Sequence, residues 1–143
     1  MQGPVTAPLM GTWTLNLAKS TYQRSLPPRS FKMVVEERED GKVVIRSEAV
    51  LAGGSKNATV SIFKCDGKNY PFLVHEGKDV DTLSMSCMVR GAGTYELRLM
   101  DGYEEVQKTE RMVAADGRTM TDTISTQRPD GVAIQIVAVY EKQ

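Results

Sequence analysis

Few residues in this chain have the types and spacing that chemistry needs. The only histidine, His75, stands in the stretch VHEGKDVD, beside Glu76, Asp79 and Asp81. An imidazole next to a carboxylate can serve as a general base with its orienting partner. The same stretch also reads as a polar loop between two strands, and that reading is favoured because nothing else completes a constellation. The chain shows no serine elbow, no Cys–His pair, no phosphate-cradling glycine loop and no cluster of metal ligands. The two cysteines, Cys65 and Cys87, fit no zinc spacing, and one histidine does not complete a site with them. They read as two small, semi-buried strand residues, with a single bridge between them as the alternative. No metal and no cofactor are expected.

A second group is more informative. Tyr95, Leu97, Arg111, Asp122 and Tyr140 all lie in runs with strand character, as does Glu110. The stretch EEVQKTER, from Glu104 to Arg111, is polar on both faces, with Lys108 and Glu110 on one and Gln107, Thr109 and Arg111 on the other. Asp122 falls between Met120 and Ile124, with Thr119, Thr121 and Thr123 opposite. If these strands line a closed interior, polar groups point inward, where charge is costly unless paired or wetted. The interior is then a lumen holding water or ligand rather than a dry plug. The alternative is a bulge or outward twist that buries nothing polar. A slip of one residue exchanges the faces, so the pattern leaves the choice open.

The elements that would position these residues are β-strands. Asp40-Gly41, Asp66-Gly67, Asp101-Gly102, Asp116-Gly117 and Asp130-Gly131 are turn signals for tight hairpins. Gly53-Gly54 and Gly91-Ala92-Gly93 add two more breaks. Strands are expected at Gly11–Leu17, Phe31–Glu39, Lys42–Leu51, Lys56–Lys64 and Asn69–Val74. The second half adds Val80–Val89, Thr94–Met100, Tyr103–Ala114, Arg118–Gln127 and Val132–Glu141. The one long connection, Ala18–Ser30, is polar, contains Pro27-Pro28 and has room for a turn of helix. Several strands alternate: Val43, Ile45, Ala49 and Leu51 oppose Arg46 and Glu48, and Ala58, Val60 and Ile62 oppose Asn57, Thr59 and Ser61. One dry face and one wet face mark an antiparallel sheet around a single interior. Hairpin-linked strands that must hide their edges close most simply into an up-and-down barrel of about 8–10 strands. A two-sheet sandwich is the runner-up. The last strand is apolar on both sides, with Ala133, Val137 and Val139 opposite Ile134, Ile136, Ala138 and Tyr140. Its outer face calls for cover, from the N-terminal segment, the Ala18–Ser30 connection or a second copy in a homodimer.

Length and charge narrow the classes. At 143 residues the chain suits one domain, read as a flexible leader over 1–9 and a barrel over 10–143. Eighteen basic residues balance eighteen acidic ones and are scattered, so neither nucleic acid nor an anionic membrane surface is an expected partner. No apolar run reaches the length of a membrane span. The first ten residues carry no export signal, so the chain is expected to be soluble, either cytoplasmic or exported with its signal already removed.

The two ends carry a resemblance. Gly11-Thr12-Trp13 resembles the G-x-W opening of lipocalins, and GTWTL is closer still to the opening of intracellular fatty-acid-binding proteins. Val139-Tyr140-Glu141-Lys142 resembles the closing motif of the latter. The series GTWTLNLAKS, DGKNYP and VAVYEKQ, taken in order, looks like a bacterial set of small lipocalin-like domains of largely unassigned function. The resemblance implies a calycin-type barrel with a lumen for small, mostly apolar molecules. It also implies that Gly11 and Trp13 form the barrel floor, one large ring closing a tapered end. There is one departure: the fatty-acid pattern has an arginine two residues before the closing tyrosine, and here that residue is Ala138. A fatty-acid carboxylate therefore finds no guanidinium there, although Arg111 substitutes if it faces inward. The Ala18–Ser30 connection is also too short and proline-rich for that family's helical lid.

The function expected is binding of a small apolar or amphipathic molecule in the lumen, with Tyr95, Leu97, Arg111, Asp122 and Tyr140 as ligand contacts. The alternatives are a lumen enzyme (isomerase, cyclase or hydrolase) using two convergent titratable groups, and an assembly domain using the last strand.

Overall fold

The computed structural model describes residues 6–74, 78–127 and 130–143, with the side chains of 72–82 left undescribed. His75 and Glu76 thus lie outside the described residues, as do the side chains of Asp79 and Asp81.

The Asp-Gly pairs behave as turn chemistry requires. Gly41, Gly67, Gly102, Gly117 and Gly131 all have φ between 62° and 84°, a region that costs glycine nothing. Asp40, Asp66, Asp116 and Asp130 each accept a hydrogen bond from the backbone N–H two residues on, at 2.9–3.1 Å. These side chains hold the turn in place of a ladder bond. Between the turns run β1 (Gly11–Leu15), β2 (Thr21–Gln23), β3 (Ser30–Glu37), β4 (Val43–Val50), β5 (Lys56–Phe63), β6 (Tyr70–Val74), β7 (Lys78–Gly91), β8 (Thr94–Asp101), β9 (Glu104–Val113), β10 (Thr119–Gln127) and β11 (Ala133–Lys142). All pairings are antiparallel and run in chain order from β3 to β11. β1 pairs with β3 on one side and with β11 on the other, which closes the sheet into an up-and-down barrel.

The seam is built differently from the expected ten-strand pattern. The Ala18–Ser30 connection contains β2, which also lies along β11, pairing Thr21–Gln23 with Gln135–Val137. Leu17–Lys19 forms a 3-10 turn between β1 and β2. Polar groups stitch this interruption to β11. Asn16 N–H donates to the Val139 carbonyl at 2.8 Å, and the Ser20 hydroxyl accepts from Val139 N–H at 2.9 Å. Both edges of β11 are therefore occupied, and the polar connection was long enough to hide a three-residue strand.

One end of the barrel is filled. Leu9, Trp13, Val43, Phe63, Cys87, Tyr95 and Met120 are fully buried and belong to one cluster. Trp13 Nε1 donates to the Leu9 carbonyl at 2.9 Å, which satisfies the indole in an apolar setting. Leu9 ends a 3-10 turn over Ala7–Leu9, so the last residues of the expected leader are packed against the barrel. Gly11 sits at φ 125°, and a side chain there would come within 2.6 Å of Lys142 Cε. The Lys142 ammonium lies 5.6 Å from the Trp13 ring centroid, within range of a cation–π contact.

Two expectations are corrected. First, β5 turns the opposite face inward. Its register sets Ser61 beside Ile45 and Phe63 beside Val43, so Asn57, Thr59, Ser61 and Phe63 share the inner face while Ala58, Val60 and Ile62 face outward. One inward hydroxyl of β5 finds its partner across the sheet: Thr59 and Ser47, opposite one another, hydrogen-bond. Second, Cys65 and Cys87 are not free thiols but a disulfide across a Cα separation of 4.4 Å. The Asp66-Gly67 turn brings them together, with Gly67 N–H donating to the Cys87 carbonyl at 2.9 Å.

Candidate ligand site in the barrel lumen

The other end of the barrel is open. A cavity of about 800 Å³ runs from a mouth at Leu26, Pro28 and Leu51 down to a polar group at Arg111 and Asp122. Its wall is mostly apolar, with Phe31, Met33, Ile45, Met85, Leu97, Ile124 and Ile136 among its residues. Pockets for small molecules measure roughly 300–1,000 Å³ and combine such walls with a few convergent polar groups. A broader depression of about 1010 Å³ at the rim of β2, β9, β10 and β11 has mainly polar and charged lining, such as Arg24, Glu105 and Lys108. None of the buried polar side chains line it.

Register decides what enters the lumen. β9 and β10 form a hairpin about Asp116-Gly117, which sets Arg111 directly opposite Asp122 and Thr109 opposite Ile124. β8 places Tyr95 and Leu97 opposite Arg111 and Thr109. Gln107, Thr109 and Arg111 are thus the inward face of β9, while Glu110 is exposed on the outer face. Arg111 Nε and Nη2 each donate to one oxygen of Asp122, both at 2.8 Å. Side-chain exposure is only 9% for Arg111 and 2% for Asp122, so the pair is desolvated as well as bidentate. The third guanidinium nitrogen, Nη1, is buried with no hydrogen-bond partner.

Two phenols complete the polar end. Tyr140 is buried on β11, with its ring centroid 5.8 Å from that of Phe31. Burial, followed by the nearby Asp122 charge, raises its pKa far above the ordinary tyrosine value. Tyr22, half-buried on β2, is raised in the same direction by burial and then by Asp122. Burial alone would lower the Arg111 pKa, but the Asp122 charge and its hydrogen bonds more than offset this, and the guanidinium stays charged. At neutral pH the site therefore presents one internally neutralised ion pair and two protonated phenols.

Of the residues singled out in the sequence, Leu97, Arg111, Asp122 and Tyr140 line the cavity. Tyr95 faces inward too, but it is fully buried in the packed cluster and not on the cavity wall. Burial raises its pKa. Trp13 and Gly11 also lie off the cavity wall, at the filled end. The sequence reading missed Tyr22, Ser47, Asn57 and Ser61 as cavity residues. Tyr22 lies in a segment without strand periodicity, Asn57 and Ser61 belong to a polar face that patterning assigns to solvent, and Ser47 is a single hydroxyl on the apolar face of β4. The signal for the ion pair was present: Arg111 and Asp122 stand at equal distances from the Asp116-Gly117 turn, so a tight hairpin pairs them.

Outside the barrel, Glu96 forms a second charged group. Its side chain is only 8% exposed and is gripped at 2.6 Å by both Arg90 and Arg98. Hydrogen bonds from Arg98 and then Arg90 hold its pKa below the ordinary glutamate value. This cluster belongs to the outer surface and not to the lumen. Among the described residues no group of three or more potential ligands could hold a metal ion, and no helix is long and apolar enough to cross a membrane.

No protein-family model matches the sequence, and no curated protein matches it. Solved structures do resemble the barrel. The wild-type fluorescent protein UnaG superposes with a TM-score of 0.64 at 13% identity, covering 96% of this chain and 99% of that one. The zebrafish ileal bile-acid-binding protein, complexed with cholic acid, gives 0.62 at 10% identity, over 96% of this chain and 100% of its own. Rv2717c from M. tuberculosis gives 0.59 at 12% identity, over 100% and 99%. This chain therefore shares the up-and-down β-barrel fold of these structures, one of them bacterial.

Proposed function

We propose that this protein binds a small, largely apolar molecule in the barrel lumen. The observation that carries the reading is the cavity itself: about 800 Å³, with mostly apolar walls and a buried polar group, Arg111 and Asp122, at its inner end. In this reading Leu97 supplies wall, Arg111, Asp122 and Tyr140 orient the polar end of the ligand, and Tyr95 backs Arg111 from the packed side. The likeness to a bile-acid-binding protein complexed with cholic acid supports a lumen of this use. The catalytic alternative is weaker. Glu110 faces solvent, and the one carboxylate on the described cavity wall is already engaged by Arg111. The disulfide supports residence in an oxidising compartment. Association of two copies through the outer face of β11 is a separate proposal, supported by the partial exposure of Val137 and Val139 and decided by light scattering.

The test is titration with an apolar fluorescent dye. The wild type should bind it with a blue-shifted, enhanced signal, and Ile124→Trp, which fills the lumen, should abolish the signal while leaving the fold intact by circular dichroism. A wild-type protein that takes up no dye, or a filled variant that takes up as much, would overturn the reading.

A further inference from the structure

We infer that the lumen selects molecules whose buried end is an uncharged hydrogen-bond acceptor, such as a carbonyl or hydroxyl oxygen, and discriminates against carboxylates. The inference rests on the binding reading above and specifies the ligand class.

Among the described residues of the cavity wall, the charged side chains are Arg111, Asp122 and Arg98. Arg98 belongs to the outer surface, where Glu96 and Glu105 hold its guanidinium. Among the described residues that leaves Arg111 as the cation on the wall available to a ligand, and both oxygens of Asp122 occupy two of its three nitrogens. An incoming carboxylate has two options. It can sit beside Asp122, where two like charges share a poorly hydrated space. Or it can displace Asp122, which gains one ion pair, loses one, and leaves a carboxylate buried without its partner. Neither option favours it. The flanking phenols of Tyr22 and Tyr140 bring no counter-charge, since a phenol has no cationic form.

A neutral acceptor meets none of these penalties. Nη1 of Arg111 is buried with nothing to donate to, and a donor left unpaired in that setting is costly. Arg111 lines the cavity while its Nη1 is buried, so an acceptor that reaches Nη1 by a side-chain adjustment ends the unpaired state. Uncharged oxygen accepts this hydrogen bond while the Arg111–Asp122 pair stays intact. The geometry of a bidentate pair with one nitrogen left over is that of a polarised donor without a free net charge.

The experiment is dye displacement by a matched series: dodecanoic acid, methyl dodecanoate and dodecanol, near pH 8, with the full chain. The ester and the alcohol should displace the dye at concentrations at least about tenfold below the acid, a factor that corresponds to 1.4 kcal/mol. Asp122→Asn keeps the side-chain shape, removes its charge and releases that of Arg111. In this variant the acid should gain about tenfold or more while the ester changes little. An acid that competes as well as the ester against the wild type would overturn the inference and leave the binding reading standing. Equal acid affinity in wild type and a folded Asp122→Asn would also overturn it. Absence of any dye uptake would remove the binding reading and this inference with it. The wild-type series needs no variant, so it decides the matter even if Asp122→Asn does not fold.

Discussion

Arg111→Leu is the perturbation that tests the energetic description of the lumen most directly. It removes two charge-assisted hydrogen bonds of 2.8 Å and leaves Asp122, which is 2% exposed, without its counter-ion. Breaking one side of a buried pair costs about 3–5 kcal/mol, mostly because the surviving charge stays buried and uncompensated. Asp122→Leu should cost a similar amount, since it strands the guanidinium and three unpaired nitrogens instead of one. The double variant Arg111→Leu/Asp122→Leu should recover most of the loss, because two aliphatic side chains suit a wall already built from Leu97, Ile124 and Ile136. At about this chain length each kcal/mol corresponds to roughly 2–4 °C in Tm, so each single variant should melt roughly 6–20 °C below wild type. Urea unfolding of all four proteins, with free energies compared as a double-mutant cycle, gives the coupling directly. Single variants that each lose under about 1 kcal/mol would refute the reasoning, since that is the value of an exposed pair. So would a double variant whose loss equals the sum of the singles.

Two further expectations concern stability away from the lumen. Reducing the Cys65–Cys87 bridge opens a loop of sequence separation 22, and chain-entropy arguments put the loss at about 3 kcal/mol. Urea midpoints with and without reductant check this, and coincident curves would count against a structural role for the bridge. The pKa of Glu96 is depressed in the folded state, so between its folded and unfolded values the unfolded chain binds more protons. Its contribution is thus complete above about pH 4.3, the ordinary glutamate value, and is lost as pH falls through the folded value. Glu96→Gln should flatten the acid limb of a stability–pH profile, and parallel acid limbs for variant and wild type would exclude Glu96 as its cause.

How much of this was legible depends on which residues carried the signal. The Asp-Gly turns combine two independent requirements, a positive φ and a side-chain acceptor, and each marked strand boundary fell within about two residues of its place. The N-terminal end of the barrel was legible for the same reason, since Gly11, two residues before Trp13, takes a positive φ of 125°. Patterning failed where a lumen replaces a dry core. On β5 the inner face carries Asn57, Thr59 and Ser61 and the outer face carries Ala58, Val60 and Ile62, the reverse of what hydrophobic alternation implies. The partner of the Thr59 hydroxyl is Ser47 on β4, and hydrophobic alternation alone does not show such a cross-strand pair. β2 was hidden because three residues are too few to show a period, and the disulfide because one pair of cysteines follows no spacing rule. The ion pair sits between these cases. Its residues were singled out by type, and only the equal count from the Asp116-Gly117 turn told that they meet.

The interrupted seam has a consequence for how the chain assembles. Every strand pair from β3 to β11 joins neighbours in sequence, so each can form from a short loop closure as the chain is made. The contacts of β1 and β2 with β11 are the exception, joining residues 13–23 to residues 135–142. On a ribosome these contacts wait until β11 has emerged, while the hairpins behind it are already able to pair. Until then β1 can pair with β3 on one side only, and the nascent sheet carries two open edges with free backbone donors and acceptors. The polar stitching by Asn16 and Ser20 then works as a latch that is set last, and the time before it is set is when the protein is most prone to aggregate.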